Sequence, residues 1–249
     1  MVVVELLGAP GSGKTTLARA LARSIEGAVP LEEAVRLAVR GRGEDPATRA
    51  AARMSRSAGS RLWTAAYARS TDRFSALARF LHDHPAVLET VLGVQQRRAG
   101  RDQGQDLVLG WILNLMARYQ LATEGSPNAP VVIDEGFAQR AVALFGHGFD
   151  PVEDGSDLDF YLATVPRPDL VVAVATPIEV CRSRLDERGW SDRLADVDQA
   201  GREGFLQSAT EVVTRVVSGV TAREVELIWV DGTTPPQDSI ARVAATLHH

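Results

Sequence analysis

The sequence predicts an α/β protein, a parallel sheet of five strands covered by helices on both faces. Three observations lead there. Apolar runs of strand length recur at residues 2–7, 28–31, 131–135, 169–175 and 225–230, and stretches of mainly helical periodicity lie between them, the alternation that crossover connections impose on a parallel sheet. The first run passes without a break into a glycine-rich turn and then a helical segment, the start of a βαβ unit. With 249 residues and 45% hydrophobic content, the chain can also bury a full core as one domain, 1–249, carrying a helical insertion.

The turn reads Gly8-Ala9-Pro10-Gly11-Ser12-Gly13-Lys14-Thr15 and fits G-x-x-x-x-G-K-[ST]. Glycines at 8, 11 and 13 let successive N–H groups turn inward, so this loop, with Ser12 and Thr16, makes a cradle for a polyphosphate at a helix N-terminus. Lys14 adds a point charge at the β- and γ-phosphates, and the Thr15 hydroxyl is placed to bind Mg²⁺. Lys14 is the only lysine of the chain. A sequence that otherwise uses Arg keeps Lys where a compact ammonium on a flexible stem is needed. Motif and flanks together resemble the P-loop NTPase and kinase superfamily, which implies ATP and Mg²⁺ as cofactors.

Beyond the turn, Leu17, Leu21 and Ile25 give one apolar helical face that Gly27 closes. The second run ends at Glu32-Glu33, and a carboxylate at the C-terminal edge of such a strand sits where ligands bind in open α/β sheets. The pattern Val29-Pro30-x-Glu32-Glu33-Ala34-x-Arg36 resembles the acidic strand-2 edge of nucleoside kinases, including those acting on nicotinamide riboside. That resemblance implies that Glu33, the closest match together with Arg36, takes the proton of the accepting hydroxyl. The Glu pair reads equally as the acidic first turn of a helix.

Residues 41–46 read as a loop, and 41–125 contain no strand. Helical segments are expected at about 47–58, 61–82, 86–98 and 105–122, the last with Leu107, Trp111, Leu115 and Tyr119 on one face. In P-loop kinases this insertion supplies the acceptor pocket. Arg49, Arg53 and Arg56 share a face, as do Arg69 and Arg73, and Arg97 adjoins Arg98; each set either holds an anionic group of the acceptor or forms a solvated face. Trp63 and Tyr67 either stack on a ligand or belong to the core.

The third run ends in Asp134-Glu135, a Walker B-like pair: Asp134 is expected to hold Mg²⁺ and Glu135 to activate a nucleophile or bind an acceptor hydroxyl. Residues 134–140 resemble the Asp/Glu-Arg signature of thymidylate and deoxynucleoside kinases, with Arg140 farther from the acids than in that pattern. Residues 146–157 form an acidic, glycine-bearing loop. After strand four, Thr176-Pro177-Ile178-Glu179 predicts a capping box. The run from Thr176 to Gly189 resembles the strand-four helix and lid entrance of nucleoside and nucleotide kinases. It implies a lid at about 182–197 in which Arg184 and Arg188, near Arg182 and Arg193, stabilise the transferring phosphoryl group. A long helix over about 197–219 and strand five follow. Asp231-Gly232 then open a second capping box, where kinases of this type border the adenine. The resemblance implies the strand order 2-3-1-4-5.

A net charge of −5 gives no support for a sequence-independent grip on nucleic acid or an anionic membrane. No apolar run reaches the roughly 18 residues of a membrane span. The single Cys181 cannot form an internal disulfide, and Met1 leads straight into a strand without a basic leader, so a cytoplasmic location is expected. A guanine-reading Asn-Lys-x-Asp motif would need a second lysine. His248-His249 carry no assignment. The expected activity is transfer of the ATP γ-phosphoryl group to a small-molecule acceptor, nucleoside- or nucleotide-like, with a homodimer compatible. A sugar or other alcohol as acceptor, an ATP-hydrolysing switch in which Glu135 activates water, and a nucleotide-binding protein without transfer activity stand as alternatives.

Overall fold

Alternation along β1 (Val2–Leu7) sends its side chains into two different cores. Val4 and Leu6 pack with Leu17 and Leu21 of α1 (Lys14–Ser24) and Val243 of α12 (Pro236–Leu247). Val3 and Leu7 join the larger cluster on the opposite face. A strand buried on both faces is the central strand of a parallel sheet. The computed structural model describes residues 1–54, 56–98, 105–125, 129–191, 194 and 197–247, apart from the side chains at 56–60 and 105. Arg193 and His248-His249 therefore lie outside the described residues.

The sheet has the order β2-β3-β1-β4-β5, all parallel, as expected. Its other members are β2 (Val29–Pro30), β3 (Pro130–Ile133), β4 (Leu170–Ala175) and β5 (Glu226–Asp231). Successive connections leave β1 toward opposite sides, which opens a crevice at the C-terminal edge beside β1, the place where ligands bind in such sheets.

Between β2 and β3 run α2 (Leu31–Arg42), α3 (Pro46–Arg53), α4 (Arg56–Arg69), α5 (Thr71–Asp83), α6 (Pro85–Arg97) and α7 (Gln105–Gly125). The second strand is shorter than the apolar run suggests, because helix α2 begins at Leu31 and takes Glu32 and Glu33 into its first turn. That helix also continues to Arg42, inside the expected loop. The segment read as one helix over 61–82 is two: the Ser70 hydroxyl accepts from Arg73 N at 3.1 Å and starts α5, since a serine oxygen satisfies first-turn donors that the preceding helix cannot. Trp63 and Tyr67 are buried and stacked at 5.3 Å, so they belong to the core. Arg98 is also buried. It bonds Asp154 at 2.5 Å and the carbonyls of Phe145 and His147, a structural cation.

On the other side of β3 come α8 (Phe137–Phe145), α9 (Gly155–Thr164), α10 (Ile178–Arg188) and α11 (Gln199–Ala222). The expected loop over 146–157 ends early, because Gly155 already belongs to α9. The capping box at Thr176 does not form. Its hydroxyl donates to Ser12 O at 2.9 Å, and α10 begins after Pro177 with no side-chain cap. A second anchor ties β1 to α8: the fully buried Glu5 carboxylate accepts from Phe137 N at 3.0 Å and Ala138 N at 2.8 Å. Desolvation pushes its pKa up to about 7, against the lowering by those two amides.

Candidate active site

Gly11 and Gly13 take φ values of 83° and 100°, a region that L side chains avoid. A Cβ on Gly11 would also lie 2.5 Å from Cys181 O. The turn thus closes tightly over α10, and α1 begins directly after it with no side-chain cap on its first turn. Those uncapped amides and the positive end of the helix dipole form an anion site. Gly8 and Ser12 stand behind it: Gly8 N donates to Gln139 Oε1 at 3.0 Å, and Ser12 is buried.

Lys14 lies over this turn, with Nζ donating to Gly8 O and Ala9 O, both at 2.9 Å. Burial lowers its pKa to about 8. Asp134 and Glu135 oppose that shift, and the Arg188 guanidinium adds to it. The Ser12 hydroxyl oxygen also lies 3.5 Å from Nζ, so the ammonium is hydrogen-bonded by neutral oxygens alone, and the Asp134 and Glu135 carboxylates act on it through space.

Two cavities meet at this point. The first, about 620 Å³, is lined by Gly11, Gly13, Lys14, Thr15 and Thr16 on one side and by Arg188, Asp231 and Gly232 on others. The second, about 550 Å³, runs between α1 and α7 and is lined by Glu32, Trp111, Arg118 and Asp134 among others. Thr15, Trp111, Glu135 and Arg140 line both. Arg140 spans this shared wall, bonding Glu135 at 2.6 Å with its guanidinium 5.4 Å from the Trp111 ring centre. Its Nε is buried and has no hydrogen-bond partner, a donor directed at nothing in the protein.

Asp134 accepts a hydrogen bond from the Thr15 side chain, while its Oδ1 is buried without a partner. Desolvation raises its pKa and the neighbouring Glu135 charge adds to that, against the lowering by the Thr15 hydrogen bond and by the Lys14 and Arg19 cations. Among the described residues no cluster of three or more His, Cys, Asp or Glu could hold a metal. A hard cation that takes one carboxylate, one hydroxyl and otherwise phosphate and water oxygens needs no such cluster. Thr15 and Asp134 fit Mg²⁺.

The remaining expected residues divide. Arg188 lines the first cavity. Arg184 also faces it, but its guanidinium donates to Gly11 O at 3.3 Å and Gly232 O at 3.0 Å, joining the two loops that flank the cavity. Asp231 accepts from Thr233 N at 2.7 Å and from the Thr233 hydroxyl at 2.6 Å, so its carboxylate shapes a turn. Glu33 lines neither cavity. Its neighbour Glu32 lines the second, held by Arg118 at 2.7 Å and by the buried Arg36 at 3.4 Å. Reading the sequence named Glu32 only as one of a pair in which Glu33 was the closer match, and it missed Gln139 and Arg118. The pattern over 29–36 pointed at an acid in this place, but one residue of helical rotation, about 100°, decides which Glu faces the cavity. Gln139 and Arg118 carry no local signal.

Among the described residues no helix is long and apolar enough to cross a membrane. No protein-family model matches the sequence, and no curated relative does. Solved structures do. Deoxyadenosine kinase from M. mycoides with bound dATP superposes with a TM-score of 0.52 at 14% identity over 100% of both chains. The same enzyme with dCMP and dCDP gives 0.52 at 12% over 99% of both. Thymidylate kinase from Candida albicans gives 0.48 at 13% identity, over 99% of this chain and 88% of that one. The chain is thus similar in fold, over its whole length, to a deoxyadenosine kinase: in this chain a parallel sheet in the order 2-3-1-4-5 carries the glycine turn directly after its central strand.

Proposed function

We propose that this protein is a Mg²⁺-dependent kinase that transfers the γ-phosphoryl group of ATP to a hydroxyl of a nucleoside-type small molecule. The observation that carries the reading is the pair of cavities sharing one wall at Thr15, Glu135 and Arg140. A site for transfer between two bound molecules needs two chambers that meet where the phosphoryl group passes. Similarity in fold to a deoxyadenosine kinase solved with bound dATP supports the same class.

The uncapped amides of the turn and Lys14 bind the β- and γ-phosphates of ATP in the first cavity, beside Arg188. Thr15 and Asp134 hold Mg²⁺, which supplies neutralisation of phosphate charge when bound. The acceptor occupies the second cavity with its hydroxyl toward Glu32. That carboxylate takes the hydroxyl proton as the oxygen attacks the γ-phosphorus, the bond from that phosphorus to the bridging oxygen breaks, and ADP leaves. Arg140, with an unused N–H at the shared wall, binds the charge on the transferring group. Of the arginine-bearing lid expected over 182–197, residues 182–188 belong to α10 and 192, 193, 195 and 196 lie outside the described residues, so Arg188, which lines the first cavity, would carry that role in this one-domain enzyme.

Hydrolysis with Glu135 as the activator of water is the other reading, since Glu135 lines the wall that the two cavities share. The test is ADP formation from Mg-ATP by the purified protein, alone and with nucleosides, nucleotides and sugars. Turnover with one acceptor class, together with its phosphorylated product, is the expected result. Steady turnover without acceptor would transfer the role to Glu135 and water.

A further inference from the structure

The second cavity carries more positive charge than the transfer reaction uses. Of its charged lining groups, Glu32 is held by Arg118 and Arg36, Glu135 by Arg140, and Asp134 fits the metal. Two further arginines line it, Arg19 and Arg23, both on α1. They are four residues apart and so project from the same side of the helix. Both are exposed, and among the described residues neither has a hydrogen bond or ion pair. Ala18 and Ala22, the residues before them, also line the cavity and leave it open along α1. Arg23 sits in the last turn, where the helix dipole favours a cation. Arg19 lies in mid-helix, where its charge acts on the Asp134 carboxylate of the same cavity without a hydrogen bond to it.

Position along the helix makes this pair specific. At 1.5 Å of rise per residue, Arg19 lies about 6 Å and Arg23 about 12 Å along α1 from Thr15, at the shared wall. An anion held by both is too far from the wall to be the accepting group. It lies at the far end of a molecule whose hydroxyl is at the wall, a span of nucleoside size.

Resting on the kinase reading above, we propose that Arg19 and Arg23 form an anion subsite, and that the acceptor is a hydroxyl compound with a carboxylate or phosphate about 6–12 Å from the reacting oxygen. The neutral nucleoside lacking that group is then the poorer substrate.

The test compares matched pairs with the full-length protein: uridine against 5-carboxymethyluridine for a carboxylate, and thymidine against thymidine 3′-monophosphate for a phosphate. Two quantities are measured, kcat/KM for phosphorylation and calorimetric affinity in the presence of Mg-ATP. We expect one anionic member to exceed its neutral partner by about tenfold or more in both, the scale of a charge-assisted bond. That ratio should collapse toward one in the Arg19→Ala/Arg23→Ala double variant and return in Arg19→Lys/Arg23→Lys, where the charge is kept. Equal kcat/KM within both pairs, or an unchanged ratio in the double variant, overturns the subsite and leaves the kinase reading standing. Binding of an anionic member without any phosphorylation, lost in the double variant, supports the subsite and overturns the kinase reading. Absence of binding by all four probes in a protein that still binds Mg-ATP overturns the subsite.

Discussion

The two cavities are built on different principles. One end of the first is a continuous stretch of backbone, Pro10 to Thr16, whose shape follows from glycine torsions and the start of a helix, while its other walls come from α7, α8, α10 and the segment after β5. The second is assembled from side chains far apart in sequence: Arg19, Glu32, Trp111 and Arg140. A backbone site is specified locally and tolerates little change. A side-chain site depends on how helices α1, α2 and α7 are rotated. On the kinase reading, the end of the first cavity at this turn is therefore expected to be rigid and general, and the second cavity adjustable and specific.

The comparison is broken most severely at Lys14. Lys14→Ala should lower phosphoryl transfer by about 10³-fold, since it removes the buried charge at the transferring group. Steady-state ADP formation measures it, and retained turnover would mean that the turn is not the donor site. Next in size is Glu32→Gln, expected to slow transfer by about 10²-fold as loss of a general base does, with Mg-ATP affinity nearly intact by calorimetry. Glu33→Gln should stay within about twofold, because Glu33 lines neither cavity. The opposite ranking would return the acid to the residue that the strand-edge pattern selects.

A third change acts on the frame that both cavities share. A Cβ on Gly136 would lie 2.2 Å from Glu5 Cδ. Gly136→Ala should therefore destabilise the fold by about 1–3 kcal/mol, the range for overpacking, read as a fall in thermal midpoint. It should also lower activity, since α8 carries Gln139 and Arg140. Glu5 itself gives a pH test. Its pKa is about 7 in the folded protein against an ordinary 4.5, so between those values the folded form binds more proton than the unfolded one. This contribution to stability is complete below about 4.5 and is lost as pH rises through about 7. Glu5→Gln should flatten that part of the stability curve.

The smallest effect separates the cavities by protonation. Lys14 has a pKa of about 8 in the free protein, and bound phosphates raise it. At pH 8 Mg-ATP binding should then take up about half a proton, falling toward zero below about pH 7. Calorimetry in buffers of different ionisation enthalpy measures this uptake. A neutral acceptor bound in the second cavity should produce none.

The same division explains what could be read in advance. Strand order was legible because the apolar runs, the turn and its flanks resemble one well-populated architecture. The division at Ser70 was less so, because a helical period continues on both sides of it. At Thr176 the local capping pattern is present, yet the hydroxyl is drawn to Ser12 O, a partner 164 residues away.

By itself the sequence determined the glycine turn at the start of α1 and the position of Asp134 directly after β3, because glycine torsions, a helix N-terminus and the end of a buried strand are set within a few residues of chain. Only the tertiary structure decided that Glu32 rather than Glu33 faces the second cavity, that Arg140 joins the two chambers, that Arg184 ties the loops together, and that Arg19 and Arg23 line the second cavity without a hydrogen bond. Those facts depend on helix rotation and on contacts between distant segments, and a one-residue difference in phase around α2, about 100°, is enough to exchange one carboxylate for another.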